Sequence, residues 1–250
     1  MIVTDVLAPL LELVDVGAAL DSARADVDSA LRHPALRSSG GAMAAEAGLR
    51  SAVASAAIEG HGYDLEEVRS GTVTDPVVQG ALRVSRESDG LADLWTKVPR
   101  QVLVRMHVLA ARDVVPPDEL GRPAPGVDVN RLTALLELIA GGTSVPTMLL
   151  ASIVHGELLS MAPFSGPNGV VARAAARTTL VAGGLDPRGL LAPEVGHLAR
   201  QPEYLGAAGA YATGTPDGVR SWIKHCTAAI SVAAEELAAI AAVAGRPKQL

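Results

Sequence analysis

The densest group of chemically capable residues lies between His155 and Arg173, in the stretch HGELLSMAPFSGPNGVVAR. An apolar run enters a short Pro/Gly loop, and the loop opens onto a second apolar-periodic run near Asn168. A helix that starts there offers an anion site. Its first N–H groups lack intrahelical partners, and the helix dipole favours negative charge at that end. Gly166 and Gly169 would let a ligand approach the backbone, and Arg173, one turn inside, carries a fork suited to phosphate. The same Gly/Pro pattern also serves a plain turn between two helices, which on spacing alone is its commoner use.

The remaining reactive residue types do not gather. Cys226 is the sole cysteine, which excludes an intrachain disulfide and a Cys-based zinc site. His107, His197 and His225 are far apart and show no metal-ligand spacing. His155 lies on an apolar run about 10 Å along the axis from Ala162, nearly two turns away, and is expected as a core histidine. His61 is expected in a surface loop, and Glu157 and Asp186 as solvated or capping residues. Phe164, the only phenylalanine, is expected to pack in the core.

The elements that must position these residues are helical. Apolar spacing predicts helices over 43–59 (stopped by Gly60), 97–111, 128–140 (opened by Asp128, closed by Gly141-Gly142), 146–160, 168–182 and 216–245. The 146–160 run is apolar on all sides and is expected to be central and buried, with Pro146 in its first turn. Residues 112–127, with four prolines and two glycines, and residues 161–167 read as loops. The reading is one all-α unit, with an N-terminal helical extension over 1–42 joined to a domain over 43–245.

Composition narrows the function classes. With 49% hydrophobic residues and a net charge of −6, disorder is excluded as the main state. Only 2% aromatic residues argue against a β-sandwich and against stacking platforms for single-stranded nucleic acid. The excess of 27 acidic over 21 basic residues argues against nucleic acid and against a polybasic membrane contact. The N-terminus has no basic n-region, and no run of 18 uncharged apolar residues occurs, so a cytoplasmic protein with no membrane partner is expected.

The segment Ala162-Pro163-Phe164-Ser165-Gly166-Pro167-Asn168-Gly169-Val170, with Arg173 beyond it, resembles the motif HPFx(D/E)GNGRxxR of the Fic (Fido) family of AMP-transferring enzymes. A second match lies well upstream. Ser55-Ala56-Ala57-Ile58-Glu59-Gly60 is similar to the inhibitory-helix motif (S/T)xxxE(G/N) found in many Fic proteins. The stretch 120–126 is similar to the segment before the family's flap, and the stretch containing Trp222 resembles its closing helices. The resemblance spans residues 43–240. It implies a helical bundle around a central pair of motif helices, with room for a small β-hairpin flap.

The departures bear on chemistry. In the family, the motif histidine is the general base, and here it is Ala162. The acidic residue that holds magnesium is Gly166, the next glycine is Pro167, and the first motif arginine is Val170. Loss of a positioned base alone costs roughly 10²–10⁴-fold in rate, and glycine offers a hard cation no side-chain oxygen. No catalytic residue is intact and no metal site is expected. The residues left for phosphate or nucleotide are Asn168, Gly169 and Arg173, with Ser55, Glu59 and Gly60 as the inhibitory set. The resemblance implies a direct Glu59–Arg173 ion pair. The expected function is a pseudoenzyme scaffold that needs no cofactor and binds another protein, with a homodimer as a further option. The alternatives are a regulator that weakly holds ATP or ADP without a conventional magnesium site, and a residual transferase restrained by Glu59.

Overall fold

The structure, a computed structural model, describes residues 5–244. Residues 1–4 of the expected extension and residue 245 of the expected tail helix lie outside them. Among the described residues a single 3-10 turn, Ala8–Glu12, precedes eleven α-helices: α1 (Val16–Leu31), α2 (Leu36–Ile58), α3 (Leu65–Arg69), α4 (Pro76–Trp95), α5 (Pro99–Ala111), α6 (Val129–Gly141), α7 (Thr147–Met161), α8 (Asn168–Ala182), α9 (Pro193–Ala199), α10 (Gln201–Ala212) and α11 (Pro216–Ala244).

Local chemistry accounts for the boundaries that position the site. At the start of α6, the Asp128 side chain accepts the Arg131 N–H at 3.0 Å, and the helix ends on Gly142 at φ +73°. This is the cap pair expected of an Asp start and a Gly stop. α7 begins at Thr147, with Pro146 in the capping position rather than inside the first turn. α2 starts at Leu36, upstream of the expected residue 43, so the 42/43 boundary falls inside one continuous helix.

α7 and α8 pack along each other at the centre. They contribute to two apolar cores. Leu149 and Ile153 of α7 and Leu180 of α8 join α1 and α11 around Trp222 and Tyr204. Val154 and Leu158 of α7, with Val170, Val171 and Ala175 of α8, join α4 and α5 around Trp95 and Met106. A helix pair shared by two cores is held from both sides, so the loop between them is fixed at both ends. Trp222 donates its indole N–H to the Ser152 carbonyl at 2.7 Å, which satisfies the one polar group it buries.

Among the described residues there is no strand, so the small β-hairpin flap does not form. Residues 112–127 run instead as turns and bends. Pro116, Pro117, Pro123 and Pro125 remove four ladder donors from that stretch, which explains why it does not pair with itself. The stretch Pro216–Val243 of α11 is long and apolar enough to cross a membrane by length and composition. Here it packs on α1, α9 and α10 and buries Trp222, Ile223, Cys226 and Ile230.

Candidate functional site

The site is built on three backbone pieces: the C-terminal end of α2, the 162–167 loop, and the first turns of α8. α2 ends with Glu59 in the capping position, and Gly60 follows at φ +92°, where a side chain would be strained. That ending turns Glu59 towards α8. Arg173, on the second turn of α8, is 2% exposed and spends its guanidinium on four bonds. Nε donates to Ser55 Oγ at 2.9 Å, Nη1 to the Tyr204 hydroxyl at 3.1 Å, and Nη2 to both the Ser55 carbonyl at 2.9 Å and Glu59 Oε1 at 2.8 Å. Glu59, Tyr204 and the charge-assisted bonds they make keep Arg173 protonated against the cost of burial. The expected Glu59–Arg173 contact is present.

The Glu59 carboxylate also reaches the start of α8. A Cβ built on Gly169 would lie 2.0 Å from Glu59 Oε1. The space over the first turn of α8, where an anion is favoured, is therefore filled by a carboxylate of the chain itself. Asn168 is committed as well. Its side chain accepts the Phe164 N–H at 3.0 Å and donates to the carbonyls of Phe164 and Gly166, clipping the loop into a closed turn.

The loop positions themselves are unusual. Ala162 caps α7 in the left-handed region, at φ 43° and ψ 63°, and its methyl group is exposed. Gly166 stands at φ +81°, and a Cβ there would meet Val115 Cγ1 at 2.7 Å. Val170 is buried in the core, 2% exposed. Pro167 caps α8 without an N–H to offer.

Other expected residues fall as follows. His155 is buried, and its Nε2 lies 3.0 Å from the Tyr204 hydroxyl. Burial and the nearby Arg173 hold its pKa well below the ordinary histidine range. His61 lies on the surface side, 2.8 Å from Asp75. Glu157 is not a solvated residue. Arg131 grips it with two bonds at 2.6 and 2.8 Å, and the Tyr211 hydroxyl donates to it at 2.7 Å. Asp186 does cap backbone, accepting the N–H groups of Leu190 and Leu191, but it is buried rather than solvated. Phe164 packs in the core with its ring stacked on His107 at 4.4 Å.

Three residues that matter here carried no signal in the sequence. Tyr204 links Arg173 to His155, Val115 fills the space a side chain at Gly166 would take, and His107 lies under the loop. Each arrives from an element far away along the chain.

The sequence matches no protein-family model and no curated protein. Its fold does match solved structures. A crystal structure of a Fic family protein from Desulfovibrio desulfuricans G20 aligns with a TM-score of 0.70 at 21% identity, covering 92% of this chain and 77% of that one. A segment of Fic-1 from C. elegans aligns with a TM-score of 0.65 at 20% identity, covering 91% of this chain and 74% of that one. The chain has the Fic fold. Within it, the expected central pair of motif helices is α7 and α8.

The Fic fold raises the question of magnesium, and the residues present do not fit it. Gly166 supplies no oxygen, and the direction its side chain would take is filled by a valine methyl group. Among the described residues, no three His, Cys, Asp or Glu side chains gather in a way that could hold a metal ion. A hard divalent cation requires a cage of oxygens, which this loop does not offer.

Proposed function

We propose that this chain is a Fic-fold binding module that does not transfer AMP, a cytoplasmic pseudoenzyme that acts by holding another protein. The observation that carries this reading is the pairing of Val115 with Gly166. The space a metal-binding side chain would occupy belongs to an apolar residue of the chain. Ala162 adds to it, since a methyl group cannot take a proton from a target hydroxyl. Incubation with labelled ATP and magnesium tests the reading. The expected result is no label on the protein or on proteins of a lysate, and transferred AMP would overturn it.

A second reading is favoured by the Glu59–Gly169–Arg173 cluster. In that reading the chain is a nucleotide-binding regulator in which Glu59 opposes ATP or ADP at Asn168, Gly169 and Arg173. Calorimetry on the parent and on Glu59→Gly, with and without magnesium, separates the two. The module reading expects no binding in either protein. Binding that appears only in the variant would replace it with the regulator.

A further inference from the structure

Residues 112–127 form a strap that crosses the 162–167 loop and is fastened to it by specific bonds. The Ala124 N–H donates to the Pro163 carbonyl at 2.9 Å, and a Val115 methyl group fills the space where a Cβ on Gly166 would lie. The third fastening is His107 of α5, fully buried between strap and loop. Its ring stacks on Phe164 with an interplanar angle of 7°. Its Nε2 lies 2.8 Å from the Ser165 carbonyl, and its Nδ1 lies 2.9 Å from the Gly121 N–H. A carbonyl can only accept and an amide N–H can only donate. The two partners therefore require the neutral ring, with the proton on Nε2 and a lone pair on Nδ1.

We propose that His107 is a proton-operated latch: protonation puts a hydrogen on Nδ1 facing the Gly121 N–H, the bond is lost, and the strap lifts from the 162–167 loop. Lifting would clear the space beside Gly166 that the Val115 methyl group fills. The inference goes beyond the proposed function and does not depend on whether AMP is transferred.

Among the described residues, the charged side chains around the strap are paired or face solvent, and Asp113, which lies 3.6 Å from Arg112, is the one that ties the strap to another helix. On α4, Arg83 pairs with Asp113 of the strap and Glu87 pairs with Arg105 of α5 itself. On α6, Arg131 pairs with Glu157 of α7, and on α8, Arg173 pairs with Glu59. The strap's own Asp118, Glu119 and Arg122 face solvent. Burial lowers the His107 pKa, and the Ser165 bond opposes that only in part. The folded value thus lies below that of the unfolded chain. The latch is closed at neutral pH and opens as pH falls below the ordinary histidine range.

Hydrogen exchange of the Gly121 and Ala124 amides tests this, with rates corrected for the intrinsic effect of pH and referred to amides within α8. In the parent, protection of both amides is expected to fall roughly 10-fold or more, relative to α8, between about pH 7.5 and about pH 5. The variant His107→Gln offers the same acceptor and donor without titrating, so its strap should stay protected at both values. His107→Ala should lose strap protection already at about pH 7.5. If that variant fails to fold, the comparison of parent and glutamine variant decides alone. A parent strap that stays protected in acid, or a glutamine variant that loses protection as the parent does, overturns the proposal. The α8 reference separates strap release from a general loss of stability.

Discussion

Glu59 Oε1 lies 2.8 Å from Arg173 Nη2, and the two are unequal partners. The Arg173 side chain is 1% exposed, whereas the Glu59 side chain is 29% exposed. Water can solvate the carboxylate if the pair breaks, but it cannot reach the guanidinium. Arg173 also keeps its bonds to Ser55 and Tyr204 without Glu59. The pair joins the end of α2 to the start of α8, and its stabilisation is concentrated on the arginine.

Removing the two partners should therefore cost different amounts. Glu59→Gln keeps an acceptor for Arg173 and should lower stability by about 1–2 kcal/mol. Arg173→Met leaves the buried Ser55 and Tyr204 oxygens without their donor, and should cost about 2–4 kcal/mol. Urea unfolding of both variants checks the order, and equal losses would contradict the asymmetry.

Gly169 is the second support of the same carboxylate. Gly169→Ala places a methyl group 2.0 Å from Glu59 Oε1, so the carboxylate must leave. The expected cost is about 2–3 kcal/mol in the parent and under about 1 kcal/mol in a Glu59→Gly background. A double-mutant cycle measures that coupling directly, and additive losses would mean that Gly169 is not there for Glu59.

Much of this site was legible in the sequence, and the reasons differ by residue. α6 and α8 were readable because Asp128, Gly142 and the Pro/Gly loop before Asn168 act on their immediate neighbours. The Glu59–Arg173 contact was readable only through the resemblance, which joins two motifs far apart along the chain. α4 was missed, because Arg83, Ser85, Arg86 and Glu87 interrupt a run whose Val77, Val78, Ala81 and Leu82 are nevertheless buried. Val115 and His107 carried no signal. A valine in a proline-rich loop has no local reason to sit on a glycine at position 166, and the partners of His107 are fixed only by tertiary packing.

The Val115–Gly166 contact predicts how the loop responds to a restored acid. Gly166→Asp adds a side chain at φ +81°, and its Cβ meets Val115 Cγ1 at 2.7 Å. The backbone strain and the clash together should cost about 2–4 kcal/mol. Val115→Ala removes the methyl group responsible for the clash, so in that background the cost should fall by about 1 kcal/mol or more, leaving the strain. Thermal unfolding of the four proteins would read the difference, and an unchanged cost would show that Val115 does not limit the position.

Ala162 makes a simpler prediction. At φ 43° its Cβ is strained, which in the left-handed region costs roughly 1–2 kcal/mol. Ala162→Gly relieves the strain and gives back part of it through greater freedom in the unfolded chain. The net effect should be stabilisation by about 0.5–1 kcal/mol, visible as a higher urea midpoint at unchanged slope. A destabilised variant would mean that the methyl group makes a contact that outweighs the strain.

Acid should weaken the whole fold through its buried imidazoles. Burial is the main cause of low pKa values at His155, His197 and His225, and the last, with Arg200 adding to the effect, falls to about 4. A folded pKa below the unfolded value near 6.5 means that the unfolded chain binds more protons. The stability these groups contribute is then present above about pH 6.5 and is lost as pH falls towards their folded values. For His225 the difference amounts to about 3 kcal/mol once both states are protonated. Its Nε2 stands 3.0 Å from His197 Nδ1, and its own Nδ1 is buried without a partner among the described residues, so a second proton there has nowhere favourable to go. Urea unfolding between about pH 7 and about pH 4.5 should show stability declining steadily, and His225→Phe should flatten that decline by about one proton's worth even if it lowers stability throughout. An unchanged slope in the variant would remove His225 from the groups responsible.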